Sequence, residues 1–199
     1  MGRIRETEMS IQFIDGCANV VPNKVLEENY WNVMQETDAP SYTPEEKAFA
    51  EGIMKSYESN CIGLSEYEDD EEMYSYMAEH TENCTKSIND FLVPYHFTTK
   101  MSAGSTDVGD VSWQVPTAQF NTACFTAYSP GHSWQNVSVG ATSIGHKGLI
   151  YASKTIANAA IKLYEDPSII EKAKEEHAKR TATGYQYPIP EDAVPVTID

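Results

Sequence analysis

Basic residues are scarce in this sequence: 14 Lys and Arg stand against 30 Asp and Glu among 199 residues, a formal charge of −16. A chain so acidic repels phosphate backbones and anionic lipid, so neither nucleic acid nor a membrane surface is expected as a partner. Long apolar runs are missing too. No stretch approaches the roughly 20 apolar residues that span a bilayer, and the opening MGRIRETEMS has charges where a secretion signal carries an apolar core. The expected setting is the cytoplasm. Cysteine is limited to Cys17, Cys61, Cys84 and Cys124, far apart and with no C-x-x-C pair. That spacing argues against a zinc knuckle or a dithiol redox motif, and reduced thiols are expected. There is no G-x-S-x-G elbow, P-loop, H-E-x-x-H or H-x-D, and no internal repeat. Serine-hydrolase, nucleotide-binding and self-contained zinc-hydrolase motifs are therefore absent, as are solenoids.

Hydrophobic residues at 41%, with 11% aromatics, are enough for a buried core. Met9, Ile11 and Phe13 alternate with Ser10 and Gln12, the pattern of a half-buried strand ending at Asp15-Gly16. No partner strand follows for many residues, so sequence upstream of this strand is expected to be missing. Asn23 caps a helix whose stripe is Leu26, Tyr30, Val33 and Met34, ending near Thr37. Thr43, Pro44 and Glu46 form a capping box with proline at the first helical position; Phe49, Ile53 and Tyr57 make the buried stripe of that second helix. The acidic run over residues 65–83 lacks the alternating acids and glycine of a calcium loop and reads as a solvated helix or loop.

Two further segments, FLVPYH at residues 91–96 and TAQFNTACFTAY at residues 117–128, have the composition of strands, the second a central one. A long helix over residues 147–164 directs Leu149, Ile156, Ala160, Ile161 and Tyr164 to a core, and Asp166-Pro167 opens another with Ile169, Ile170 and Ala173 inward. The proline-punctuated tail is expected to wrap over the surface. Strand, glycine loop and helix in succession suggest an α/β layer arrangement, in which ligands meet the carboxyl ends of strands.

Candidate site residues follow from that arrangement. His132 sits in SPGHSW, just past the end of the 117–128 strand; a lone loop histidine is commonly solvated or structural, and a metal ligand is the sharper alternative. Asp107 and Asp110 are three apart, so they either face one ligand or cap and tie down a glycine-rich loop. His146 with Lys147 opens the long helix, an arrangement suggesting an anion nearby.

The run GSTDVGDVSWQVPTAQFNTACFTAYSPGHSWQNVSVGATSIGHKGLIYASKTIANAA, with LYEDP and YQYPIP after it and FIDGCANVVPNKVLEENYW and YTPEEKAFAEGI before it, resembles the dinuclear-metal amidohydrolase and peptidase family of aminoacylases and glutamate carboxypeptidases. The resemblance covers nearly the whole chain. It implies an α/β fold: residues 1–22 as a remnant of the lid (dimerisation-type) domain with its last strand, and residues 23–199 as the C-terminal segment of the catalytic domain, helices on a mixed sheet. It also implies cleavage of the amide bond of an aminobenzoyl-glutamate-like or other N-acyl amino acid by paired divalent metals, manganese or zinc, which polarise the scissile carbonyl and activate a water.

Of the family's ligands, only the late histidine has a counterpart, His132. Glu45-Glu46, Glu71-Glu72 and Glu175-Glu176 do not match the family's Glu-Glu motif. Asp107, Asp110 and His146 lie in family-like segments as candidate substrate-wall residues. The chain alone is expected to be inactive and to hold metal weakly or not at all, to need an upstream half or companion subunit, and to be oligomeric. A non-catalytic binding or subunit-interaction protein of the same fold is the alternative.

Overall fold

The computed structural model describes residues 9, 13, 15–58, 64, 67–98, 100 and 104–193. Seven helices of four or more residues run through them: α1 (Lys24–Glu36), α2 (Pro44–Met54), α3 (Glu71–His80), α4 (Val108–Gln114), α5 (Trp134–Gly140), α6 (Ser143–Glu165) and α7 (Pro167–Arg180). The starts of α1, α2 and α7 are those the sequence signals, whereas α6 begins at Ser143 behind a Thr142 cap, a turn before the expected residue 147, so His146 lies inside its first turn and does not open it. The Asn23 side chain accepts from the Leu26 N–H at 3.1 Å. The Thr43–Glu46 capping box is complete in both directions, and Asp166 caps α7 with Pro167 in the first turn.

The expected α/β fold with a mixed sheet is overturned: no strand occurs among the described residues. Residues 91–97 and 116–126 run as irregular chain. A strand is defined by the neighbour that takes its N–H and C=O groups, and strand composition alone does not supply one. The one backbone bond joining these two regions runs at their margins, from the Ala127 N–H to the Ser87 carbonyl at 2.9 Å. In the proposed lid strand, Met9 and Phe13 are irregular and the other four positions lie outside the described residues.

α1, α6 and α7 pack on one another, and α5 packs on α6. Asn23, 1% exposed, both caps α1 and donates to the Ala173 carbonyl of α7 at 2.9 Å. The Tyr151 hydroxyl of α6 donates to the Met34 carbonyl of α1 at 3.1 Å. A second small core gathers Ala50, Ile88, Val139 and Ile144, with Tyr42 and Ile53 against it. On α2 the buried residue is Ala50, while Phe49 is exposed and Ile53 half-buried, and Tyr57, also half-buried, lies beyond the helix end, so the expected stripe is turned partly outward.

The largest departure is on α6. Its packed face is Ile144, Gly145, Gly148, Tyr151, Thr155 and Ala159, and not the apolar positions expected to face a core. Leu149 is 60% exposed, Ile156 53% and Tyr164 86%. They form a second apolar stripe about a third of a turn around the helix.

Cys17 and Cys124 are free thiols, but Cys84 is disulfide-bonded, which corrects the expectation of reduced thiols throughout. Among the described residues no helix is long and apolar enough to cross a membrane.

Candidate functional site

The two strand-like segments line one groove. Residues 89–93 form one wall and 121–129 the other, with Tyr42, Tyr151 and Met34 among the remaining lining, around a cavity of about 450 Å3. Three tyrosines hold the carbonyls of these walls where a sheet neighbour would otherwise bond. The Tyr57 hydroxyl donates to the Ala127 carbonyl at 2.6 Å, that of Tyr76 to Leu92 at 2.9 Å and that of Tyr42 to Ala123 at 3.4 Å. Burial pushes the Tyr42 phenol up to about 12, with the Cys124, Asp90 and Glu46 charges adding to it. It therefore stays a neutral donor at physiological pH.

Gly148 brings α6 against the second wall. A Cβ there would stand 2.4 Å from the Ala123 carbonyl oxygen and 2.6 Å from the Cys124 sulfur, and the Thr122 hydroxyl donates to the Gly148 carbonyl at 3.3 Å. A glycine inside a helix costs about 1 kcal/mol relative to alanine, and such close backbone approach is the reason to keep one. That glycine was the signal in the sequence that could have marked this contact.

Two polar atoms are left over in the groove lining. The buried Asn89 Oδ1 and Tyr128 hydroxyl have no hydrogen-bond partner among the described residues. Asp90 is the charged residue in the lining. Burial pulls its carboxyl up, but Lys86 at 2.5 Å and Lys47 at 3.5 Å outweigh that and hold it below the usual range. The groove is thus an apolar slot with amide and hydroxyl edges.

His132 stands just beyond this groove. It is exposed, three residues from Ser129 and four from Asn136, which line the cavity and bond to each other through their side chains. Its φ is 53°, and Tyr128 before the turn has φ 58°. Gly131, the residue for which a left-handed backbone is free, does not take it. A non-glycine residue there costs about 1–2 kcal/mol, and such strain is found at functional positions. The His132 ring makes no hydrogen bond among the described residues.

The other candidates lie elsewhere. Asp107 stands before α4 without a side-chain capping bond. Asp110 takes the tying-down role: it accepts from the Tyr185 hydroxyl at 2.7 Å and the Ala18 N–H at 3.4 Å. That bond pushes the Tyr185 phenol up to about 12. The Cys17 thiol close by is raised by desolvation and then by the Asp15, Asp107 and Asp110 charges, which lowers its thiolate fraction.

His146, exposed, lines a separate cavity of about 480 Å3 with Ser143, Lys147 and Lys154. There Lys147 is already paired with Glu46 at 2.6 Å. Among the described residues no three His, Cys, Asp or Glu side chains gather closely enough to hold a metal ion. The described residues therefore do not make up a metal centre by themselves.

The sequence is 35% identical over 195 residues to one of the subunits of p-aminobenzoyl-glutamate hydrolase from Escherichia coli (strain K12). The alignment covers 96% of this chain and 40% of the relative, so the chain spans about 40% of the relative's length. No protein-family model matches the chain, and no solved structure does.

Proposed function

We propose that this chain is the C-terminal portion of a metal-dependent amidohydrolase acting on p-aminobenzoyl-glutamate or a related N-acyl amino acid, and that it works only together with the remainder of that enzyme. The observation that carries this reading is the alignment: it takes in nearly all of this chain and less than half of the relative. His132 is the one metal ligand the chain contributes, manganese or zinc being the metal; its exposed ring on a strained turn beside the groove supports that role. Asp107, Asp110 and His146 remain substrate-wall candidates by sequence position, though the Tyr185 and Ala18 bonds account for Asp110 structurally.

The test is an amide-cleavage assay against p-aminobenzoyl-glutamate and simple N-acyl amino acids with manganese or zinc. The chain alone is expected to give no turnover. Addition of a polypeptide covering the rest of the relative is expected to give turnover that His132→Ala abolishes. Turnover by the isolated chain, or complemented turnover indifferent to His132→Ala, overturns the assignment.

A non-catalytic subunit-interaction role is the second reading, favoured by the absence of any cluster of three metal-ligating side chains among the described residues. It predicts complex formation without turnover. The cytoplasm is part of the proposal, and the Cys84 disulfide is the observation that pulls against it. Alkylation in intact cells decides the matter: a Cys84 that reacts only after reduction overturns the cytoplasmic setting.

A further inference from the structure

The turn that carries His132 is tied at its neck and free at its tip. On the entering limb, the Tyr57 hydroxyl donates to the Ala127 carbonyl at 2.6 Å and stands 3.1 Å from the hydroxyl of the buried Thr126. The Ala127 N–H donates in turn to the Ser87 carbonyl at 2.9 Å. On the leaving limb, the amide of the buried Gln135 donates to the Ser56 hydroxyl at 3.3 Å. Ser56 and Tyr57, adjacent and just past the end of α2, therefore hold both limbs. Between the limbs, the Ser129 hydroxyl donates to Asn136 Oδ1. The Ser133 hydroxyl donates to the Pro130 carbonyl at 2.6 Å and accepts from the Asn136 N–H at 3.4 Å.

None of these bonds reaches the imidazole. His132 is exposed, at φ 53°, with no partner among the described residues. A backbone in that region persists only where its surroundings over-determine it. A turn that merely joined Ala127 to α5 could place the left-handed residue at Gly131, one position earlier, without strain. The neck bonds instead impose it on the histidine.

We infer that Tyr57 and Asn136 are positioning residues for the proposed amide cleavage: through the neck of the turn they fix where the His132 imidazole stands. The inference rests on the proposed function, in which His132 is a ligand, and adds to it two residues that act through the turn. Tyr57 suits the task because burial pushes its phenol up, so it remains a donor at neutral pH. Asn136 suits it because its side chain holds Ser129 while its N–H holds Ser133, on either side of the tip. A group held in its productive place before binding loses less freedom when it binds.

The experiment uses the complex of the full chain with a polypeptide covering the rest of the relative, titrated with manganese alone and followed by electron paramagnetic resonance of the free ion. Tyr57→Phe keeps the ring and removes the hydroxyl. Asn136→Leu removes Oδ1 at similar volume, and Asn136→Asp restores an acceptor for Ser129. Tyr57→Phe and Asn136→Leu are each expected to weaken manganese binding about tenfold or more, while Asn136→Asp stays within about threefold of the parent. On the isolated chain, the same two weakening variants should speed hydrogen exchange of the amides over 128–136 about tenfold and leave those of α1 and α7 unchanged.

Manganese binding that needs His132 and ignores the neck variants overturns this inference alone, as does an Asn136→Asp complex that binds as weakly as Asn136→Leu. Unchanged exchange over 128–136 in the isolated chain overturns it too, whether or not a variant assembles. A parent complex that binds no manganese, or binds it equally after His132→Ala, overturns the proposed function and this inference with it.

Discussion

His132 combines exposure, a left-handed backbone and a position beside the groove. If the strain is kept for function, His132→Gly should raise the stability of the isolated chain by about 1 kcal/mol, read as a higher urea midpoint at constant slope, while complemented turnover is lost. A loss of stability would mean that the imidazole is structural. Gly148 makes the opposite case. Gly148→Ala drives a methyl into the Ala123 carbonyl and the Cys124 sulfur, and a cost of about 1–3 kcal/mol is expected in the same denaturation assay. An unchanged midpoint would show that the 121–129 wall does not rest on α6.

Among the elements, α2 and α6 are tied by one carboxylate. Glu46 accepts from Lys147 Nζ at 2.6 Å, from the Ser143 hydroxyl at 2.5 Å and from the Thr43 N–H at 2.7 Å. These bonds, Lys147 first, hold its carboxyl down to about 2 from an ordinary 4.5. Because the folded value is the lower one, the tie stabilises the fold above about pH 4.5 and is lost as pH falls toward 2. Stability measured by urea unfolding should therefore decline across that window, and Glu46→Gln should flatten the decline while lowering stability at neutral pH. A variant with the same pH slope as the parent would remove Glu46 from the tie. The α2 start was legible as a capping box, but the α6 start at Ser143 was not, and neither was their contact, since the two are about a hundred residues apart in sequence.

At the scale of the whole molecule, apolar surface and charge oppose each other. The α6 stripe and the exposed Trp134 and Val137 of α5 favour association, while the charge of −16 opposes it. The isolated chain is expected to self-associate more as salt screens that repulsion, and a Leu149→Lys, Ile156→Lys double variant should stay helical and lose most of the effect. Light scattering across a salt series checks this. A parent chain that remains monomeric at every salt concentration would show that the stripe is not sticky enough to be an interface.

What the sequence by itself determined is local. Asn23, the Thr43–Glu46 box and Asp166-Pro167 set where helices begin, because a cap and its partner lie within three residues and need nothing distant. Strand-type composition at 91–96 and 117–128 was equally visible, but composition states only what suits a pleated sheet; whether a ladder forms depends on a neighbour, and none is present among the described residues. The apolar periodicity of residues 147–164 was read as one core face, yet a helix with apolar residues on two sides leaves the choice to its surroundings. Tertiary structure decided it: Gly145 and Gly148 let the backbones of Gly140 and Ala123 come close on their side of α6, and Leu149, Ile156 and Tyr164 were left outside because nothing in the described chain reaches them.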